Sequence, residues 1–301
     1  MTPIYSLTVR NIKLFFKDKG MFFTALITPM ILLVLYITFL ANVYEDSFVS
    51  LLAEFGFTAS KSVMGGCVGG QLFSSLLSVS PITVAFCSNM LMVQDKVTGA
   101  YKDLTVTPVK TASMALSYYV ASFASTLLIC LVATAACFLY LGKVGWFFSV
   151  SDILFVLLDV LILVLFGTAL SAAVNVFLSS QGQISAVGSI VSACYGFICG
   201  AYMPISSFAE GLQKVLSFLP GTYGTSLMRN HALQGVFDQL KTDGLPQEGI
   251  TALRDLLDCN VYFFDHTVPV YGMYIILGGF TLAFLLIYVL VTLLQIKKTN
   301  K

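Results

Sequence analysis

The chain has 301 residues, of which 57% are hydrophobic and only 10% are charged. Soluble domains are about a quarter charged, so this composition excludes an ordinary soluble protein and indicates an integral membrane protein. The net charge of +1 gives no sign of a nucleic-acid partner.

The first 20 residues predict an amphipathic helix that lies in the membrane interface. Basic residues recur at helical spacing on one face of IYSLTVRNIKLFFKDKG, and apolar residues form the other face. The basic face comprises Arg10, Lys13 and Lys17, and the apolar face comprises Tyr5, Val9, Ile12 and Phe16. Such bases face anionic headgroups and also mark the cytoplasmic side of a membrane.

Six segments are long and apolar enough to cross a bilayer, which takes about 20 residues in a helix. They cover roughly residues 21–42, 65–93, 112–141, 152–178, 184–205 and 269–295. The apolar runs do not alternate with a period of two, as the strands of a membrane barrel do. We therefore predict an all-α membrane protein with six transmembrane helices, forming a single domain over residues 1–301.

The distribution of charge predicts that both termini are cytoplasmic. With this topology the inner segments carry ten basic and three acidic residues, whereas the outer segments carry six basic and eleven acidic residues. The same topology places residues 203–268 outside as an enlarged external loop. Its section FAEGLQKVLSFL has helical periodicity but is too short to span.

The second span begins GGCVGGQLFSSLLSVSP and combines small residues with polar ones. Small residues allow close helix packing, but Gln71, Ser74 and Ser78 could instead line a translocation path. The fourth span adds two candidates for that path. Asp159 is an acid inside a span, where ionisable groups are often functional, although it lies near the interface and could reach water. Asn175 could equally bond a neighbouring helix.

The fifth span carries small residues spaced by four, which form one ridge along a helix. They are Gly188, Ser192, Gly196 and Gly200. This ridge predicts a helix–helix or subunit interface.

Motifs for catalysis on this chain are absent. The sequence contains no GxxxxGK[ST], no HExxH and no GxSxG. The two histidines, His231 and His266, fall in the predicted external loop, where we expect them to be solvated. The seven cysteines show no disulfide framework and no metal-ligand spacing.

A short polar strip, MVQDKVTGAYKDLTVTPVK at residues 92–110, separates the second and third spans. Up to Thr105 it fits about two helical turns, and Pro108 prevents regular helix behind it. Both signs of charge and the side chains of Tyr101, Leu104 and Val106 are available to a partner. The strip at 94–108 therefore predicts a short docking helix on the cytoplasmic side.

These features together resemble the membrane subunit of a type-2 ABC transporter, a permease class of bacterial drug, lipid and polymer exporters. Two ordered blocks carry the resemblance. The first consists of Asp95, Gly99, Ala100, Leu104, Thr107, Pro108 and Val109. The second consists of Gly200, Tyr202, Pro204, Ser206, Ser207, Leu212, Gln213, Pro220, Thr222, Tyr223 and Arg229. The family's usual Glu-Arg-Glu run is replaced here by Gln94, Asp95 and Lys96.

The resemblance implies a transport subunit at the plasma membrane that is not itself an enzyme. Two permeases pair, as a homodimer or heterodimer among membrane lipids, and two cytoplasmic ATPase subunits bind ATP and Mg²⁺. This chain then holds no cofactor of its own. The second block implies short helices that re-enter the outer leaflet. The residues expected to couple the permease to the ATPase are Asp95, Thr98, Gly99, Tyr101, Lys102, Asp103 and Leu104.

Two other functions stay open at this point. One is a secondary transporter or channel that works without ATP, although no internal repeat links the two halves. The other is a membrane scaffold or receptor subunit whose docking helix only recruits a partner. For an exporter, the apolar and glycine-rich spans favour an amphiphilic substrate such as a drug, a lipid or a lipopeptide.

Overall fold

The computed structural model describes the backbone of residues 3–264 and 266–299, and their side chains up to Gln295. Almost all ordered segments among them are helical. The α-helices are α1 (Pro3–Lys17), α2 (Lys19–Leu35), α3 (Ala41–Glu54), α4 (Lys61–Thr98), α5 (Ala100–Val106), α6 (Thr111–Val144), α7 (Val150–Asn175), α8 (Gln181–Ile198), α9 (Glu210–Leu216), α10 (Pro220–Thr242), α11 (Gln247–Leu256) and α12 (Val270–Thr299). A hairpin pairs β1 (Tyr262–Phe263) with β2 (His266–Thr267) in antiparallel register.

Within the described residues, five helical stretches are long and apolar enough to cross a membrane. One is Lys19–Glu54, in which a π-helical segment (Tyr36–Leu40) joins α2 to α3, and the others are α4, α6, α7 and the part of α12 up to Gln295. The prediction of an all-α membrane protein is thus confirmed. The prediction for the fifth span, 184–205, extended too far toward the C-terminus. Its helix α8 begins with Gln181, ends at Ile198, and is followed by Gly200 in the left-handed region at φ +75°.

Helix α1 forms where the sequence predicts it but buries a different face. Asn11 and Phe15 are its buried residues, whereas Tyr5 of the predicted apolar face is exposed. The helix lies against α6, and that contact decides which face is covered. The side chain of Asp18 then caps α2 by accepting a hydrogen bond from the Met21 N–H at 3.0 Å.

Helix α4 lies at the centre of the subunit, and its most apolar stretch is wholly buried. Helices α2, α6, α7, α8 and α10 all pack against it. Glycines permit this crowding, because a Cβ at Gly70 would lie 2.5 Å from the Leu233 side chain and one at Gly66 would lie 2.7 Å from the Phe147 ring. These glycines of the second span therefore serve close helix packing.

The two ends of the bundle differ in what covers them. One end carries α1 and α5 and is called the α5 end. The other, the α11 end, carries a buried apolar cluster where α3, α10 and α11 pack around the start of α4. This cap cluster includes Tyr44, Phe48, Leu52, Val63, Phe237, Leu240, Ile250 and Leu253.

Much of the predicted external loop is a long, buried helix. Helix α10 has 23 residues, and the unbroken run Gly221–Asn230 is buried against α4, α7 and α12. The short helices that the resemblance implies for this region are thus joined by a helix of 23 residues. Small residues again explain the packing, because Gly224 faces Leu163 and Gly235 faces the backbone of Phe147.

Replacing Gly235 with alanine should destabilise the protein. The added Cβ would lie 1.7 Å from the Phe147 carbonyl oxygen, so the backbone would have to move. We expect a loss of about 1–3 kcal/mol in the free energy of unfolding and a lower Tm, measured by thermal unfolding in detergent. The control is Gly142→Ala in α6, where the Cβ meets nothing within 4 Å. Equal melting of the two variants would contradict this packing.

Candidate functional site

The polar strip at residues 92–110 forms a helix–turn–helix at the α5 end. Helix α4 continues to Thr98, and Gly99 reverses the chain with φ +87°, which is a conformation that residues with a Cβ rarely adopt. The short helix α5 follows, and the chain is extended at Thr107 before α6 begins at Thr111. The predicted docking helix is thus helical, and Gly99 sets its direction relative to α4.

Helix α5 lies on the surface and buries none of its residues completely. Lys102 and Asp103 are exposed, while Tyr101 and Leu104 are half-buried. Val106 is 88% exposed at the end of the helix. Helix α5 therefore presents both apolar and charged groups, the two kinds that form the core and the rim of protein interfaces.

Asp95 differs from the rest of the predicted coupling residues because it is buried beneath them. Both of its oxygens accept hydrogen bonds from the Arg10 guanidinium, at 2.7 and 3.3 Å. The Tyr118 hydroxyl donates a third bond, at 2.5 Å. The bond to Asp95 raises the pKa of Arg10 further above its ordinary value, which opposes the effect of burial. Asp95 thus joins α1, α4 and α6.

An apolar cluster surrounds this ion pair and continues to α12. Phe15 of α1, Val93 of α4 and Tyr288 of α12 are buried in it, and the Tyr101 ring of α5 packs against it. Burial raises the pKa of the Tyr101 hydroxyl. The Lys96 ammonium donates to the Val176 carbonyl at 3.2 Å, which adds α7. A force applied to α5 would therefore reach five helices, which are α1, α4, α6, α7 and α12.

The sequence placed Arg10 only on a basic, lipid-facing surface and missed its pairing with Asp95. The two residues are 85 positions apart, so helical periodicity carries no information about their contact. In place of the family's Glu-Arg-Glu run, this chain has Gln94, Asp95 and Lys96. Asp95 is the only acid of these three residues, and it pairs with Arg10.

The predicted path residues of α4 and α7 are sealed within the subunit. Ser74 and Ser78 are at most 1% exposed, and the Ser78 hydroxyl donates to the Ser74 carbonyl at 2.6 Å. Gln71 is fully buried. The buried Asn175 amide lies 3.5 Å from the Phe86 carbonyl oxygen. These groups do not line an open passage in this conformation.

Asp159 lies at the junction of three helices and is fully buried. Its carboxylate contacts Nδ1 of His231 at 2.6 Å and accepts a bond from the Tyr274 hydroxyl at 2.6 Å. Phe155 stacks on the imidazole with ring centroids 4.9 Å apart. The expectation of a solvated His231 was wrong, because α10 packs into the bundle and turns this side chain toward α7.

The small-residue ridge of α8 is largely occupied by contacts inside the chain. A Cβ at Gly188 would lie 2.8 Å from Met90, and one at Gly196 would lie 2.3 Å from the Tyr202 ring. Gly200 falls beyond the helix, so it does not extend the ridge. Ser192 instead lines an open groove.

This groove lies between the α2–α3 segment and α8 and has a volume of about 680 Å³. Its walls are mostly apolar. They include Ile31, Leu35, Phe39, Val43, Phe197, Met203 and Leu256, with Ser192, Ser206 and Ser207 as polar groups. Its shape and lining suit an amphiphilic molecule.

A buried ion pair holds the loop after α8. Arg229 of α10 is fully buried, donates to Asp258 at 3.1 Å and donates to the Gly200 carbonyl at 2.6 Å. Asp258 also accepts from the Ile205 N–H at 2.6 Å. The sequence singled out Arg229 and Gly200 but not Asp258, which lies in the predicted external loop.

A comparison with known protein families identifies a match over most of the chain. Residues 55–294 match the family described as ABC-2 family transporter protein. No curated protein matches the chain. Among the described residues, no group of three or more His, Cys, Asp or Glu side chains is arranged to hold a metal ion.

Replacing Asp95 with asparagine should loosen α1 from the bundle. Asparagine keeps the shape but removes the charge that Arg10 and Tyr118 face, at a cost of about 1–3 kcal/mol. We expect a spin label at the exposed Lys13 to become more mobile in the variant. The control is Asp103→Asn, because the Asp103 side chain is exposed and has no bond within the described residues. Unchanged mobility in Asp95→Asn would contradict the role of the pair.

Proposed function

Because this chain belongs to the ABC-2 family of transporters, a membrane class that associates with an ATPase subunit, we propose that it is the permease of an ATP-driven exporter. The surface of α5 docks the cytoplasmic ATPase, and the α5 end faces the cytoplasm. Two permeases and two ATPase subunits form the transporter. The exported molecule is an amphiphile such as a drug, a lipid or a lipopeptide.

The observation that carries this proposal is the link from α5 into the bundle. Helix α5 is exposed, yet the adjacent end of α4 is tied by Asp95 to α1 and α6. A docking helix that moved freely could bind a partner without moving the spans. One that is anchored in this way transmits the closure of the ATPase to α1, α4 and α6.

The chemistry of ATP hydrolysis belongs to the partner. ATP and Mg²⁺ bind on the ATPase, where positioning and charge stabilisation perform the phosphoryl transfer. This chain contributes the surface that senses closure, the helices that carry the movement and the route for the substrate. The charge distribution supports the topology, because basic residues concentrate near α1 and α5.

The groove between α2–α3 and α8 is the proposed route for the apolar part of the substrate. It opens at the side of the bundle, and its lining is apolar with a few hydroxyl groups. A second permease packed against α2 and α8 would enclose it. Ser192 of the small-residue ridge then faces both the substrate and the partner subunit.

Replacing Gly99 with proline should uncouple ATP hydrolysis from transport. Proline fixes φ near −65°, whereas Gly99 has φ +87°, so α5 would point elsewhere. In proteoliposomes that contain the co-purified ATPase, we expect basal hydrolysis to continue while efflux falls at least tenfold. Gly56→Pro is the matched control, because Gly56 also has a positive φ and open surroundings but lies at the α11 end. Full efflux by the Gly99→Pro variant would contradict the docking role of α5.

Filling the groove should reduce transport without loss of ATPase binding. Ala193→Trp places a large ring in the groove, whereas Ala186→Trp adds the same ring to an exposed position of α8 outside it. We expect efflux of an amphiphilic dye to fall several-fold only in Ala193→Trp, with both variants still retaining the ATPase on purification. Similar efflux from the two variants would show that the substrate does not pass through the groove.

A further inference from the structure

A second cavity lies at the α11 end, on the other side of the loop that borders the groove. Its volume is about 500 Å³, and its walls come from α9, from residues 205–206 and from the segment 255–264. Ser206 lines both this cavity and the groove. The two spaces are therefore neighbours, but their chemistry differs, because this one carries charged groups.

The carboxylates in this cavity differ in how many hydrogen bonds and ion pairs they already make within the chain. Asp258 already accepts hydrogen bonds from Arg229 and from the Ile205 N–H. Asp255 accepts two bonds on one oxygen, from the Asn260 amide at 2.7 Å and the Tyr262 hydroxyl at 2.9 Å. The side chain of Glu210 is exposed and has no hydrogen bond or ion pair to any described residue. Two carboxylates thus keep oxygen atoms free for a ligand.

One cation, Lys214, also lines the cavity. It stands one helical turn after Glu210 on α9, yet no ion pair joins the two side chains within the described part of the chain. With Asp258 neutralised by Arg229, the described lining retains two negative charges and one positive charge. The cavity therefore favours a ligand with a positive group.

Aromatic rings supply a second and independent indication of a cation. Tyr262 and Phe264 line the same cavity and are 47% and 61% exposed. Ammonium groups bind against the faces of such rings, and quaternary ammonium groups depend on them most. Carboxylates alone would suit a metal ion as well, but large apolar rings in the wall favour an organic cation.

We propose that this cavity binds the ammonium head group of an amphiphile whose apolar part lies across Ser206 in the groove. Glu210 and Asp255 balance the charge, and Tyr262 and Phe264 contact the substituents on the nitrogen. The role of this head group in transport rests on the proposed function. Binding itself needs no ATPase, so it can be tested separately.

The test measures ligand binding to the purified chain in nanodiscs of neutral lipid by saturation-transfer NMR. The probes are choline, its uncharged isostere 3,3-dimethyl-1-butanol and dodecyltrimethylammonium, with empty nanodiscs to subtract partitioning. We expect choline to bind and its isostere not to bind. We expect dodecyltrimethylammonium to bind at least tenfold more tightly than choline, because its chain occupies the groove.

Two variants, each of which removes the charge of one glutamate, test whether the cations bind in this cavity. Glu210→Gln should weaken binding of both cations by about two- to fivefold, the range for a partly exposed charge contact. Glu248→Gln removes the same charge from an exposed position of α11 outside the cavity and should leave binding unchanged. Ala193→Trp should abolish the advantage of the alkyl chain but not the binding of choline.

Three results would overturn the proposal. They are equal binding of choline and its isostere, unchanged binding in Glu210→Gln, and equal affinity for choline and dodecyltrimethylammonium. The last result would make the cavity a site for soluble amines and not for a substrate head group. If these probes fail while the chain still purifies with an ATPase and transports, the proposed function stands and only this inference falls.

Discussion

The burial of α4 is the constraint on which the rest of the structure depends. A helix covered on all sides must bring its neighbours close and satisfy its polar groups internally. Glycines at 66 and 70 admit the Phe147 and Leu233 side chains, and the hydroxyl of Ser78 returns to the helix backbone. Every other functional element is then placed relative to this helix, including α5, the cap cluster and α10.

Helix α4 also joins the two ends of the molecule. Its 38 residues give a length of about 57 Å, from Val63 in the cap cluster to Asp95 beneath α5. Pro81 removes one backbone hydrogen bond midway, where Gly167 lets α7 approach the Pro81 carbonyl. A displacement at α5 would therefore reach the α11 end through one continuous element. The proposed route for the substrate lies beside that element, between α2–α3 and α8.

The sequence predicts the membrane class, the N-terminal helix and the exposed helix α5, because these depend on composition, local periodicity and turn residues. It does not predict contacts between distant segments. Arg10 pairs with Asp95 and Asp159 meets His231, and no local pattern marks either partner. Polar residues in α10 suggested an external loop, because this segment lacks the hydropathy of a bilayer-spanning helix. Packing against three other helices overrides that composition, and Gly200 ends α8 before the predicted boundary.

The most direct test is site-specific photo-crosslinking in native membranes, followed by purification through a C-terminal tag and mass spectrometry. A photo-reactive residue replaces Lys102 on α5 in one sample and Glu54 at the end of α3 in another; both positions are exposed at opposite ends of the bundle. The account predicts that a P-loop ATPase is recovered near one-to-one with the permease and is crosslinked from position 102 alone. Recovery of the intact permease without any ATPase, or crosslinking from position 54 instead, would contradict it.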